Sequence, residues 1–274
     1  MVAASLLSEV IAMRIPMIAG NWKMYKVPAS TKSFFMSFRA PVESSGDCEI
    51  VIFPSFLALD AAVTCARGTR IQIGAQNLCG AKDGAFTGEI SGSMIRASGG
   101  SHVIVGHSER RKYFGETDES VLKKTLAAID ADLTPIVCVG ECEKETVEAE
   151  LAEQFERGIS TLSAAQFAKI VIAYEPVWAI GTGQTPPPEA AAGAHRFIRA
   201  QAKGSFGTEA SNNVRILYGG SVNPGNAKSL MAPPEIDGLL VGGASLDPVR
   251  FASIVNYRTT EDGSFETAAG VALG

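Results

Sequence analysis

The sequence predicts a closed (β/α)8 barrel, on three observations. Eight short apolar, β-rich runs recur along the chain, amphipathic stretches separate them, and no proline-rich linker divides it. The runs cover residues 15–19, 49–53, 71–75, 102–106, 134–139, 169–174, 214–218 and 238–241. Helical patterns lie over 30–39, 56–66, 119–131, 146–160, 188–202 and 248–255. Thr117 or Asp118 can cap the helix at 119, and Pro248 sits at the first turn of the last one. Eight repeats over roughly 245 residues suit a single-domain barrel. A doubly wound open sheet is the competing arrangement, but no GxGxxG opens a helix after the first strand.

Composition narrows the function. The chain has 274 residues, 46% hydrophobic and 19% charged, with a formal net charge of -5. That charge leaves no basic footprint for nucleic acid or an anionic membrane surface. No window approaches the roughly 20 apolar residues of a spanning helix. Residues 1–13 have no basic start, and Glu9 interrupts their apolar stretch. They are expected to be an N-terminal extension rather than a secretory signal. The barrel is expected over 14–257, with a loosely held tail over 258–274. Five cysteines, at 48, 65, 79, 138 and 142, form no CxxC pair, which fits a reducing, cytoplasmic compartment. The three histidines, at 102, 107 and 195, show no metal-ligand spacing, so no metal is expected.

In a barrel, function gathers at the carboxyl ends of the strands. Reading only those positions gives Asn21 and Lys23 after the first run, His107-Ser108-Glu109-Arg110 after the fourth, and Glu175 after the sixth. Gly219-Gly220-Ser221 follows the seventh run and Gly242-Gly243 the eighth. The two glycine turns stand where barrels hold phosphate, because backbone N–H groups there can approach an anion closely. Either turn alone could equally be a tight connection. Glu175 could be a solvated loop residue. However, Pro176 fixes the exit of the strand, and Trp178, Ala179 and Ile180 form an apolar stretch able to cover the carboxylate. Such a cover is expected to raise its pKa toward that of a base. His107 opens a helix start, whose dipole disfavours an imidazolium. His102, within a strand, and His195, within a helix, read as structural.

These segments resemble one family, triosephosphate isomerase. The matching stretches are Ala19-Gly20-Asn21-Trp22-Lys23-Met24, Gly74-Ala75-Gln76-Asn77, Gly84-Ala85-Phe86-Thr87-Gly88-Glu89, Gly106-His107-Ser108-Glu109-Arg110-Arg111, Tyr174-Glu175-Pro176-Val177-Trp178-Ala179-Ile180-Gly181-Thr182-Gly183, Tyr218-Gly219-Gly220-Ser221 and Val241-Gly242-Gly243-Ala244-Ser245-Leu246. The resemblance implies the TIM-barrel fold and a cofactor-independent exchange of dihydroxyacetone phosphate and D-glyceraldehyde 3-phosphate through an enediolate. It implies Glu175 as base, neutral His107 and Asn21 at the carbonyl, and Lys23 as positive charge. It also implies backbone N–H groups of Gly181, Ser221, Gly242 and Gly243 at the phosphate, with Glu109 and Arg110 supporting Lys23 and the rim. The loop around Phe86, Thr87 and Glu89 resembles the family's dimer loop, which implies a homodimer.

The chain departs from the family pattern after Gly140-Glu141, at Tyr25, and at both ends. Two other functions compete with the isomerase. One is a Schiff-base aldolase, which needs a desolvated lysine inside the barrel. The other is a catalytically inactive barrel used for binding.

Overall fold

The computed structural model describes residues 14–180 and 185–259. The expected extension 1–13, the tail beyond 259, and Gly181 lie outside the described residues. Eight parallel strands close on themselves: β1 (Met17–Asn21), β2 (Glu49–Phe53), β3 (Ile71–Ala75), β4 (His102–Val105), β5 (Thr134–Val139), β6 (Val171–Tyr174), β7 (Ile216–Tyr218) and β8 (Gly238–Val241). Closure is explicit in the register, since Ile18 pairs with Ile50 on β2 and with Leu239 on β8. The helices are α1 (Pro28–Val42), α2 (Phe56–Ala66), α3 (Gly92–Ala97), α4 (Ser108–Phe114), α5 (Asp118–Asp130), α6 (Val147–Gly158), α7 (Ala164–Phe167), α8 (Pro188–Asn213), α9 (Pro224–Leu230) and α10 (Pro248–Val255). The closed sheet excludes the doubly wound arrangement.

Both faces of the strands are buried, which is why they read as continuous apolar runs rather than alternating ones. Met17, Ala19, Val51, Phe53, Ile136, Ala173 and Leu240 belong to one cluster. Their strand neighbours Ile18, Ile50, Ile52, Val137, Ile172 and Leu239 belong to a second, which includes the helix residues Phe35, Phe38, Phe155 and Ile198. The two clusters follow the twofold period of a strand: one fills the barrel, the other joins it to its helices. Gly74 marks how tightly the first is filled. A Cβ there would stand 2.3 Å from Cε1 of Phe53.

Four strands match the sequence reading residue for residue. β1 starts two residues later than expected, at Met17, whose N–H donates to the Asp237 carbonyl at 3.0 Å. Pro16 has no N–H to give, and Ile15 is 64% exposed, so its apolarity misled. Asn21 is therefore the last residue of the strand. Thr117 caps α5 as anticipated, its side chain accepting from the Ser120 N–H. The short helices α3, α7 and α9 were not anticipated, because one or two turns cannot display a 3.6-residue period. α8 runs beyond the expected 202, with a non-helical break at Gly207 (φ 86°).

Two histidines are structural, as expected. His102 opens β4 with Nε2 3.3 Å from the Glu49 carboxylate, which also pairs with Arg215 and accepts from Gln72 at 2.9 Å. Burial alone would raise the Glu49 pKa, but His102 and Arg215 more than reverse this and hold it at about 2. His195 is fully buried on α8, donating Nδ1–H to the Glu235 carbonyl at 3.2 Å. Its Nε2 has no partner among the described residues, and burial lowers its pKa to about 3. The unfolded chain takes up this proton near pH 6.5, whereas the folded chain refuses it. Its contribution to stability is thus complete above pH 6.5 and drains as the pH falls toward 3. From pH 7 to 5 that is about 2 kcal/mol. His195→Asn, which keeps the donor, is expected to remove that share of the pH dependence in urea unfolding. Identical slopes for variant and wild type would contradict this.

Candidate active site

The strand ends bring the predicted polar residues to one cavity of about 390 Å³, lined by Asn21, Lys23, His107, Glu175, Ser221, Gly242 and Gly243. Each arrives for a local reason. Asn21 ends β1. Lys23, two residues on, has a left-handed backbone (φ 52°) that costs a non-glycine residue about 1 kcal/mol. That strain is held from both sides: the Lys23 N–H donates to the Asn21 side chain at 3.0 Å, and Gln76 donates to the Lys23 carbonyl at 2.8 Å. The ammonium reaches the Glu109 carboxylate at 2.5 Å. A Cβ at Gly242 would stand 3.4 Å from Cε of Lys23, so the β8 turn packs directly beside the lysine.

His107 is the N-cap of α4, its Nδ1 accepting the Glu109 N–H at 3.2 Å. That amide requires a lone pair on Nδ1, which puts the ring proton on Nε2. Nε2 then faces the Glu175 carboxylate at 3.0 Å. Burial alone would lower the His107 pKa, and Glu175 beside it reverses this and raises it. The two influences oppose: the carboxylate favours a second proton, and the Glu109 amide leaves no place for it.

Glu175 follows β6 and is 2% exposed. The expectation that burial raises its pKa is overturned here. Burial does push it up, but His107, the Ser108 N–H at 2.8 Å and the charge of Lys23 together bring it below the ordinary carboxylate value. The carboxylate is held as an anion by donors at the start of α4, not stranded in an apolar pocket.

The cover over this site is partly described. Ile180 lines the cavity beside Glu175. Trp178 donates its indole N–H to Glu141 at 2.8 Å, and Tyr174 its hydroxyl to the same oxygen at 3.0 Å. The Lys144 ammonium lies over the Trp178 ring at 4.2 Å. The departure from the family pattern after Gly140-Glu141 is thus a loop packed on the cover.

Arg110 reaches Glu116, which Lys124 also engages, so it braces α4 against α5 without touching Lys23. Glu109 makes the Lys23 contact itself. Gly220 has a strict requirement: a Cβ would lie 2.1 Å from the Tyr218 hydroxyl oxygen. Gln76, Glu141 and the Ser108 amide were missed as functional groups by the sequence reading. Gln76 and Glu141 follow β3 and β5 almost at once, so the strand-end rule applied to every strand would have found them. A backbone amide leaves no trace in sequence.

The fold and cavity define a class: a (β/α)8 barrel with an acid–base site for a small anionic substrate at the carboxyl ends of its strands. The sequence model of the family "Triosephosphate isomerase" matches residues 16–258. The triosephosphate isomerase of Solibacter usitatus is 65% identical over 249 residues, 89% of this chain and 100% of that protein. Those of Endomicrobium trichonymphae and Citrifermentans bemidjiense are 51% and 48% identical over 89% of this chain and 99% of each relative. The chain belongs to the triosephosphate isomerase family.

Proposed function

We propose that this chain interconverts dihydroxyacetone phosphate and D-glyceraldehyde 3-phosphate, with Glu175 as the base that moves one proton between adjacent carbons. One observation carries the assignment of roles. A buried carboxylate and an imidazole with its proton on Nε2 meet at 3.0 Å in a cavity shared with Lys23 and two glycine-rich turns. With substrate present, Glu175 leaves the Ser108 N–H and takes the proton from the carbon beside the carbonyl. The electron pair moves onto the carbonyl oxygen, giving an enediolate. His107 Nε2 gives its proton to the former carbonyl oxygen and takes the hydroxyl proton from the adjacent oxygen, so that the second carbonyl can form, and the carbon-bound proton returns from Glu175 to the neighbouring carbon. His107 Nε2–H and the Asn21 amide donate to the oxygens where charge gathers, as is established for the family. Lys23 offsets the charge of substrate and enediolate. Backbone N–H groups at Ser221, Gly242 and Gly243 hold the phosphate, with Gly181 assigned the same role from sequence. Ile180 and Trp178 keep water from the enediolate, which would otherwise lose its phosphate.

The exposed Phe86 (52%), on a loop with left-handed glycines at 84 and 88, supports a homodimer formed through Phe86, Thr87 and Glu89. Cysteine usage supports a cytoplasmic location. Among the described residues no helix is long and apolar enough to cross a membrane.

A coupled assay on purified protein in both directions tests the reaction, with a solution mass for the dimer. Absence of turnover defeats the first, a monomeric mass the second. Lys23→Met is expected to weaken a dianionic phosphate-ester inhibitor by about tenfold or more, since a partly buried charge-assisted contact is worth about 1.5–3 kcal/mol. Equal affinity would remove Lys23 from its electrostatic role.

A further inference from the structure

The cavity wall contains a further charged side chain, Arg250, that none of these roles uses. It stands in the first turn of α10 and lines the same cavity as Ser221, Asn223, Gly242 and Gly243. Asp247 takes its backbone N–H at 2.8 Å. Its guanidinium is exposed and has no hydrogen-bond or ion-pair partner among the described residues. Local stability does not ask for a cation there, because the first turn of a helix carries partial positive charge and prefers an anion. A residue placed against its local preference at the mouth of a site points to function.

Charge at the mouth explains what it does. Lys23 and Glu175 carry opposite charges across the cavity, and a protonated His107 would do no more than offset Glu109. Glu109 stands 2.5 Å from the Lys23 ammonium. The whole chain carries -5. Without Arg250 the side chains around the cavity would carry no net positive charge, and the backbone N–H groups of the β7 and β8 turns act only at contact distance. We infer that Arg250 is the anion-attracting residue of the cavity mouth, drawing the substrate's phosphate toward the β7 and β8 turns without touching the reacting carbons. This rests on the isomerase reading for its substrate.

Attraction by an exposed charge is screened over about 10 Å at 0.1 M salt, so the test is ionic strength. Arg250→Gln is expected to lower kcat/KM for glyceraldehyde 3-phosphate about threefold at low salt, with the gap closing by about 0.3 M. Arg250→Lys restores most of it. Turnover of glyceraldehyde, which lacks the phosphate, is the same in all three proteins. Arg67→Gln removes an equal charge from the exposed end of α2, away from the cavity, and is expected to match wild type. An unchanged kcat/KM in Arg250→Gln, a loss that persists at high salt, or an equal loss in Arg67→Gln would overturn the inference. A wild type without turnover defeats the isomerase reading instead. Calorimetry with inorganic phosphate then decides Arg250, and equal affinity in wild type and Arg250→Gln at low salt overturns it.

Discussion

Glu175→Gln is expected to lower kcat by about four orders of magnitude, at the upper end of what a positioned general base contributes. The amide keeps the shape of the carboxylate and can still accept the Ser108 N–H, so the fold and cavity should survive. What disappears is the lone pair basic enough to take a carbon-bound proton. Binding of a phosphate-ester inhibitor should change little, because that affinity lies with Lys23 and the glycine turns. Glu175→Asp separates chemistry from placement. It keeps the acid but retracts it by about one bond length, and a displacement of that order costs about a hundredfold. Normal turnover in either variant would remove Glu175 from the role of base.

Gly140→Ala is expected to damage both stability and activity from outside the cavity. Gly140 follows β5, and a Cβ there would lie 1.8 Å from the carbonyl oxygen of Glu175 and 2.7 Å from its carbonyl carbon. Both are backbone atoms, so no rotamer change relieves the clash, and the end of β6 must move. Overpacking of this kind costs about 3 kcal/mol. The displaced backbone carries Glu175 with it, so kcat should fall by about a hundredfold. Gly193→Ala on α8 is the contrasting case. Its nearest neighbour would be an Arg196 side-chain atom at 4.0 Å, and alanine's helix preference should add a few tenths of a kcal/mol or more. Urea unfolding and initial rates on both variants check the pair. Full stability in Gly140→Ala would show that the β5–β6 ends are not as closely set as described.

The sequence by itself determined the barrel and the polar side chains that meet in its cavity. Both follow from local chemistry: β-branched runs buried on two faces leave an unbroken apolar signature, and polar residues just beyond them must face the rim. Glu175, His107, Lys23 and Asn21 were all legible on that basis. Only the tertiary structure decided their charges and their company. Burial at 175 suggested a raised pKa, yet His107, Lys23 and the Ser108 amide arrive from other strands and helices and bring it down. The strained backbone of Lys23 is held by Gln76, 53 residues away, and Arg250 lines the same cavity as Lys23 and Glu175, which follow β1 and β6. Electrostatic energy depends on distances across the barrel, and no stretch of sequence contains them.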